Sequence, residues 1–284
     1  MVGWTSVEKI IPYEELRSKS LITMEVFLAL SINWNVRSMQ LKHGKGNMRL
    51  QDSNDLSAQK INPSKIQVVI SDIHGHYRAL QQLKERLGYN SERHQLVYLG
   101  DYIDRGPQSW DVLQEVMREV REEEAIALKG NHEQLMVSVF SGDRSNMVNW
   151  LCNGGQKTLE DMNRKGDSSG KSEVLRFLDQ LPLYAESEQY LYVHAGVNPE
   201  KIWEEQKSED LLWIREKFIK ATSLSLVTKK VVVFGHTPTI SFCGKPGVYV
   251  GGDRIGVDTG VTAGLYLSAV EMDTLREYKV SVAW

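Results

Sequence analysis

The sequence has little that would tie it to a special environment. It holds two cysteines in 284 residues, Cys152 and Cys243, which form neither a CxxC pair nor a disulfide framework. Free thiols of this kind fit a reducing compartment. Long apolar runs are also missing. The most hydrophobic early stretch, Leu21 to Leu30, is too short to span a bilayer, carries Glu25 and lies too deep for a usual signal peptide. An excess of one charge is missing as well: 34 basic residues against 37 acidic ones leave a formal net charge of −3. With no basic stripe, nothing argues for nucleic acid or an anionic membrane as partner. These absences lead us to expect a cytoplasmic protein with neither partner. What is present is ordinary for a soluble globular chain, at 41% hydrophobic and 25% charged residues. A chain this long can bury roughly three quarters of its unfolded surface and needs no staple to fold.

Residues 1–64 differ from the rest of the chain. A helical pattern covers about Tyr13 to Leu30, and the polar, glycine-containing stretch from Lys42 to Ser64 reads as a linker, with Met48 as a candidate alternative start. No chemistry-bearing group of residues occurs there. From Lys65 the pattern becomes regular. Strands are expected at Ile66–Ile70, His94–Leu99 and Ala125–Leu128, with helices over Tyr77–Leu87 and Ser109–Glu123 between them. Alternation at this spacing indicates βαβ units, an α/β fold and a central sheet buried on both faces. Residues of about 138–188 read as a mainly helical insert. Strands resume at Tyr190–Val193 and Lys230–Phe234, and the tail from Val248 to Val282 suggests a second, partly antiparallel sheet.

Each expected strand runs into the same kind of chemistry. The ends read Ser71-Asp72-Ile73-His74-Gly75, Gly100-Asp101-Tyr102-Ile103-Asp104-Arg105-Gly106, Lys129-Gly130-Asn131-His132-Glu133, His194-Ala195-Gly196 and Gly235-His236-Thr237-Pro238. Taken singly, each is more readily a turn, a helix cap or a core histidine. Ligands in α/β sheets gather outside the carboxyl ends of the strands, however, and five such ends aim Asp72, His74, Asp101, Asn131, His194 and His236 at one region. Carboxylate, imidazole and amide ligands without cysteine suit Mn²⁺, Fe or Zn²⁺ in a site that is not a structural zinc site. Six ligands exceed what one metal with open positions needs. They suit two metals about 3.5–4 Å apart, sharing a bridging carboxylate, for which Asp101 is the natural choice by position.

Together, Asp72-x-His74-Gly75, Gly100-Asp101-x-x-Asp104-Arg105-Gly106, Gly130-Asn131-His132-Glu133, His194 and Gly235-His236 resemble the phosphoprotein phosphatase family of metallophosphoesterases. Bacterial and bacteriophage members are the nearest in style. The runs Trp150–Gly155, Leu211–Glu216 and Ile255–Gly260 resemble further segments of those members. The likeness covers about Lys65 to the C-terminus and leaves residues 1–64 unmatched. It implies a four-layer α/β/β/α sandwich with a helical insert, and a catalytic domain of residues 65–284. It also implies Asp72, His74 and Asp101 at a first divalent metal and Asp101, Asn131, His194 and His236 at a second, with Mn²⁺ foremost. His132, steadied by Asp104, would be the general acid, and Arg105 and Arg215 would hold the phosphoryl group.

The activity so implied is hydrolysis of phosphate monoesters, with phosphoserine and phosphothreonine in proteins as the leading substrates. Dinucleoside polyphosphates are the rival, since the metal motifs do not separate the two. Tyr102, Trp150 and Trp213 are available to hold a nucleotide base, though core or rim positions would suit them equally. A catalytically silent binding protein is the remote alternative, disfavoured by the complete ligand set. His43, His76 and His94 read as surface or structural.

Overall fold

The run Ile66-Gln67-Val68-Val69-Ile70 forms strand β1 (Ile66–Ile70), and Val68, Val69 and Ile70 are fully buried. Branched side chains with a stiff χ1 pack well on a pleated surface covered on both faces. Helix α1 (Tyr77–Leu87) buries Ala79, Leu80, Leu83 and Leu87 on one face and ends at Gly88, whose φ of 67° closes the C-terminus in the left-handed conformation. Strand β2 (His94–Tyr98), helix α2 (Ser109–Glu122) and strand β3 (Ile126–Ala127) repeat the unit. The three strands are parallel, with Val69 opposite Val97 and Val97 opposite Ile126. This is a computed structural model that describes residues 61–143 and 145–282. The helix expected over Tyr13–Leu30 and most of the expected linker therefore lie outside the described residues.

The helical region begins earlier than the sequence pattern indicated. Helix α3 (Asn131–Phe140) starts directly after β3, because the Glu133 carboxylate accepts the Gly130 N–H at 2.9 Å and closes the first turn. Helix α4 (Ser145–Trp150), a π-helical turn over Leu151–Gly155, α5 (Gln156–Lys165) and α6 (Ser168–Gln180) come next. Their buried residues, among them Trp150, Leu159 and Leu175, share one apolar cluster with α1 and α2, so they extend the helical layer of the core.

The remaining elements are β4 (Tyr184–Glu186), β5 (Tyr190–Val193), α7 (Ser208–Trp213), α8 (Glu216–Ile219), β6 (Val231–Phe234), α9 (Ile240–Cys243), β7 (Tyr249–Val250), β8 (Arg254–Gly256), β9 (Tyr266–Glu271) and β10 (Arg276–Ser281). The tail does not make a sheet of its own. β7 and β8 join a sheet ordered β4-β5-β6-β8-β7, whereas β9 and β10 return to the first, ordered β10-β9-β1-β2-β3. β9 runs antiparallel to β1 with Val69 opposite Val270, so the tail satisfies the free edge of the strand that starts the fold.

Period-two alternation then sorts the layers. Val68, Ile70, Leu96 and Tyr98 face the helices. Val69, Val97 and Leu99 face the other sheet, meeting Tyr192, Val233 and Ile255. Leu191, Val193, Val232 and Phe234 face outward against Leu211 and Phe218 of α7 and α8. The result is a four-layer α/β/β/α sandwich whose second helical layer is thin. Among the described residues no helix is long and apolar enough to cross a membrane. The two sheets bring strand ends together on one side, where His194 after β5 reaches the Leu99 carbonyl after β2, and His236 after β6 reaches Asp72 after β1.

Candidate active site

The chain leaves the strands through sharp turns. Asp72, His74, Asp101, Asp104, Arg105 and His236 all have positive φ, between 45° and 72°. Side chains with a Cβ resist this region, and such residues concentrate where surrounding structure over-determines them for function. Here the turns after β1 and β2 hold each other: His74 donates its N–H to the Asp101 carbonyl at 2.9 Å, Gly75 to Tyr102 at 2.8 Å and Gly106 to His74 at 3.0 Å. A Cβ on Gly106 would lie 2.2 Å from the His74 carbonyl oxygen, so only glycine allows this approach.

Asp101 stands at the centre, buried. Its Oδ2 faces His74 Nε2 at 3.4 Å, its Oδ1 faces His194 Nε2 at 3.5 Å, and Oδ1 also accepts the His132 N–H at 3.2 Å. Burial alone would raise its pKa, but His194, His132 and His74 around it hold the carboxyl below its ordinary value. Two overlapping groups share it: His74, Asp101 and His132 on one side, and Asp101, His194 and His236 on the other. Asn131 completes the second side, its Oδ1 2.9 Å from His194 Nε2.

The ring nitrogens are sorted by their other contacts. His74 Nδ1 lies 2.8 Å from the Ile103 carbonyl and His194 Nδ1 2.8 Å from the Leu99 carbonyl. Carbonyls only accept, so both rings carry a proton on Nδ1 and turn Nε2 toward Asp101. His194 Nε2 meets His236 Nδ1 at 3.2 Å, while His236 Nε2 is buried with no partner. Burial drives the pKa of both His74 and His236 well below the ordinary imidazole value, which keeps them neutral and able to donate lone pairs.

Beside this centre, His132 Nδ1 lies 2.6 Å from Asp104 Oδ2, both residues being buried. Burial would lower the His132 pKa, but the charges of Asp101 and Asp104 and the Asp104 hydrogen bond raise it instead, favouring the imidazolium. The exposed Arg105 brings a guanidinium nitrogen to 3.3 Å from His132 Nε2. Asp72 is buried in the same site, and its oxygens accept the His236 N–H at 3.1 and 3.0 Å. Burial and the Asp101 charge raise its pKa. Arg215 sends one nitrogen to the His236 carbonyl at 2.9 Å, leaving the rest of its fork for another partner.

Residues 67–265 match the family of calcineurin-like phosphoesterases. The chain belongs to that family. It is accordingly a metal-dependent phosphoric ester hydrolase, with groups of His and Asp positioned for metal binding. Serine/threonine-protein phosphatase 1 of Salmonella typhimurium is 30% identical over 178 residues, which are 60% of this chain and 77% of the relative. The symmetrical bis(5'-nucleosyl)-tetraphosphatase of Vibrio campbellii is 29% identical over 139 residues, 48% of this chain and 46% of the relative. A solved structure whose description as a diadenosine tetraphosphatase is itself provisional shares the fold. It has a TM-score of 0.58 and 20% identity, covering 79% of this chain and 96% of that one.

The donor set fits the divalent ions that calcineurin-like phosphoesterases use. Asn131 Oδ1, His236 Nδ1 and Asp101 Oδ1 lie 2.9, 3.2 and 3.5 Å from His194 Nε2, a convergence of nitrogen and oxygen donors that suits a divalent cation.

Three residues contribute to the site in ways the sequence did not indicate. Glu133 accepts the N–H groups of Asp101 at 2.8 Å and Tyr102 at 2.9 Å, fixing the turn after β2, and burial together with the Asp101 charge pushes its pKa up to about 8. Its place three residues after Gly130 is a helix-start signal that would have flagged it. Trp150 and Thr158 reach Asp104 from the helical region, at sequence distances no local pattern bridges. Of the candidate base-holders, Tyr102 and Trp150 are fully buried, and Trp213 alone is exposed, beside His236. His76 and His94 have structural contacts, His76 with the Ile73 carbonyl and His94 with the Asn90 N–H, and His43 lies outside the described residues.

Proposed function

We propose that this calcineurin-like phosphoesterase removes phosphate from phosphoserine and phosphothreonine in proteins. The observation that carries the reaction type is the buried His132–Asp104 pair beside the exposed Arg105, next to a group of ligands centred on Asp101. Two divalent ions, Mn²⁺ foremost, would be held by Asp72, His74 and Asp101 and by Asp101, Asn131, His194 and His236. Bound there, they would supply neutralisation of the ester's charge and a water whose lowered pKa leaves hydroxide available near neutral pH.

The chain supplies the rest. Arg105 and Arg215 present planar forks that suit two phosphoryl oxygens each. As the phosphorus–oxygen ester bond breaks, its electron pair goes to the leaving alkoxide. His132 gives that oxygen its Nε2 proton and becomes neutral imidazole. Asp104 keeps the ring in position through Nδ1 and favours its protonated form between turnovers. Solvent returns the proton.

The 30% identity with the serine/threonine-protein phosphatase supports a protein substrate, but extent of likeness does not separate the two, since the match spans 77% of that phosphatase, 91% of an asymmetrical bis(5'-nucleosyl)-tetraphosphatase of Anoxybacillus flavithermus and 46% of the Vibrio tetraphosphatase. A second reading, hydrolysis of dinucleoside polyphosphates, draws on the latter relative and on exposed Trp213, which offers a ring at the mouth of the site. We place the activity in the cytoplasm, within residues 65–284. Purified protein with Mn²⁺ is to be given a phosphoserine peptide and diadenosine tetraphosphate side by side. A higher kcat/KM for the peptide is expected. Preference for the dinucleotide would replace the first reading by the second.

A further inference from the structure

We propose that Trp150 and Thr158, carried by the helical region after β3, are positioning residues that fix Asp104 and through it aim His132. The proposal rests on the reading of His132 as proton donor. Asp104 is fully buried, and three groups hold its carboxylate: His132 Nδ1 at 2.6 Å and Trp150 Nε1 at 2.9 Å on Oδ2, and Thr158 Oγ1 at 2.6 Å on Oδ1. An indole N–H can only donate, so Trp150 always points a proton at the same oxygen that receives the imidazole. The Thr158 hydroxyl works on both ends of the residue: it donates to Oδ1 and also accepts the Asp104 N–H at 2.8 Å. It thereby holds a backbone whose φ of 72° the free chain avoids.

The same segment grips the neighbouring arginine. Arg105 N–H donates to the Gly154 carbonyl at 3.3 Å, and its Nε donates to the Asn153 carbonyl at 3.4 Å. The π-helical turn comes this close because it ends in two glycines. A Cβ on Gly154 would lie 2.6 Å from the Arg105 backbone nitrogen, and one on Gly155 would lie 2.6 Å from the Trp150 ring. Trp150 is itself fully buried and packs edge-on against Phe140 of α3, the helix that begins at Asn131 and His132. The clamp is thus a closed arrangement: α3 carries the proton donor, the end of α4 carries the indole, and both meet on one carboxylate. Bonds of this kind, buried and donated to an anion, are stronger than neutral ones. They also engage both oxygens of Asp104.

A group that only props up the fold would affect all substrates alike. A group that acts through the proton donor matters in proportion to the need of the leaving group for a proton. An alkoxide from a serine side chain needs one, whereas p-nitrophenolate departs without help. Trp150→Phe keeps the packing and removes the donor. Thr158→Val keeps the shape and removes both bonds, while Thr158→Ser restores the hydroxyl. With Mn²⁺ content verified equal to the parent, we expect Trp150→Phe and Thr158→Val to lose about 10-fold or more in kcat on a phosphoserine peptide. On p-nitrophenyl phosphate they should stay within about 3-fold of the parent, with KM unchanged and Thr158→Ser near the parent on both. In ¹⁵N-labelled metal-free protein, the Trp150 indole N–H should exchange slowly, and Asp104→Asn should shift its resonance. His132→Ala serves as the reference. If it shows the bias toward poor leaving groups and the Trp150 and Thr158 variants do not, the clamp is overturned. If His132→Ala loses both substrates equally, the proton-donor reading falls and takes the clamp with it.

Discussion

Nδ1 of His132 lies 2.6 Å from Oδ2 of Asp104, and neither side chain is more than 2% exposed. The carboxylate and the nearby Asp101 overcome the opposing effect of burial and raise the His132 pKa above its ordinary value. A histidine with a raised folded pKa contributes stability that is complete below the unfolded value, and that contribution fades as pH rises through the folded one. Asp104→Asn should therefore bring the His132 titration of the metal-free protein to lower pH, seen in its imidazole proton resonances. In the metal-loaded enzyme it should lower kcat by about 10²-fold. An unchanged titration would mean that Asp104 does not hold the imidazolium.

Asp101 presents Oδ2 to His74 and Oδ1 to His194, so a single residue serves both halves of the ligand group. Asparagine keeps one oxygen and replaces the other by an N–H₂ that can only donate. Asp101→Asn is expected to reduce bound metal, measured by elemental analysis, as well as activity. His132→Ala should reduce activity alone. Two full equivalents of metal in Asp101→Asn would remove Asp101 as the shared ligand.

A third expectation concerns backbone rather than ligand chemistry. A Cβ at Gly235 would lie 1.8 Å from Ser71 Oγ and 2.3 Å from Asp72 Oδ2. Neither can move freely, because Asp72 accepts the His236 N–H through both oxygens and the Ser71 hydroxyl bonds to the same carboxylate. Gly235→Ala should displace Asp72 and cost metal affinity by about 10-fold or more, the scale of lost outer contacts to a metal site. Titration of the metal-free variant with Mn²⁺ measures this directly, and an unaltered affinity would show Asp72 to be dispensable to the centre.

The residues that converge were legible because each follows a strand, and strand ends are set by local pattern. Ile66–Ile70 and His94–Tyr98 are apolar runs that alternate between two buried faces, so Asp72 and Asp101 could be placed just beyond them. Which sheet each strand joins was not legible. Nothing within β9 names its neighbour, and its pairing of Val270 with Val69 is what assigns it to the first sheet. Register between distant strands is decided by tertiary packing, which short runs do not encode. The partners of Asp104 were hidden for a similar reason: Trp150 and Thr158 lie 46 and 54 residues away, and the likeness of the Trp150–Gly155 run to a family segment does not tell which carboxylate its indole meets.

Away from the site, Lys84 of α1 joins Glu115 of α2 at 2.6 Å and also bonds to the buried Glu119, while Arg118 reaches Glu115 at 3.1 Å. Partial burial works to raise the Glu115 pKa, but the hydrogen bonds from Lys84 and Arg118 outweigh it and hold the carboxyl down to about 2. A depressed carboxylate contributes stability that is complete above its unfolded pKa of 4.5 and is lost as pH falls through the folded value near 2. Glu115→Gln keeps the size of the side chain and removes the charge. Solvent screens the pair, so the cost near pH 7 should be about 1 kcal/mol or less. Urea unfolding of metal-free parent and variant, followed at pH 7, 4 and 3 in constant salt, should show the two curves drawing together as pH falls. Lys84 keeps Glu119 in the variant, so the helices stay tied and the comparison isolates Glu115. A gap that stays constant down to pH 3 would mean that the loss comes from packing and that the ion pair between α1 and α2 contributes nothing.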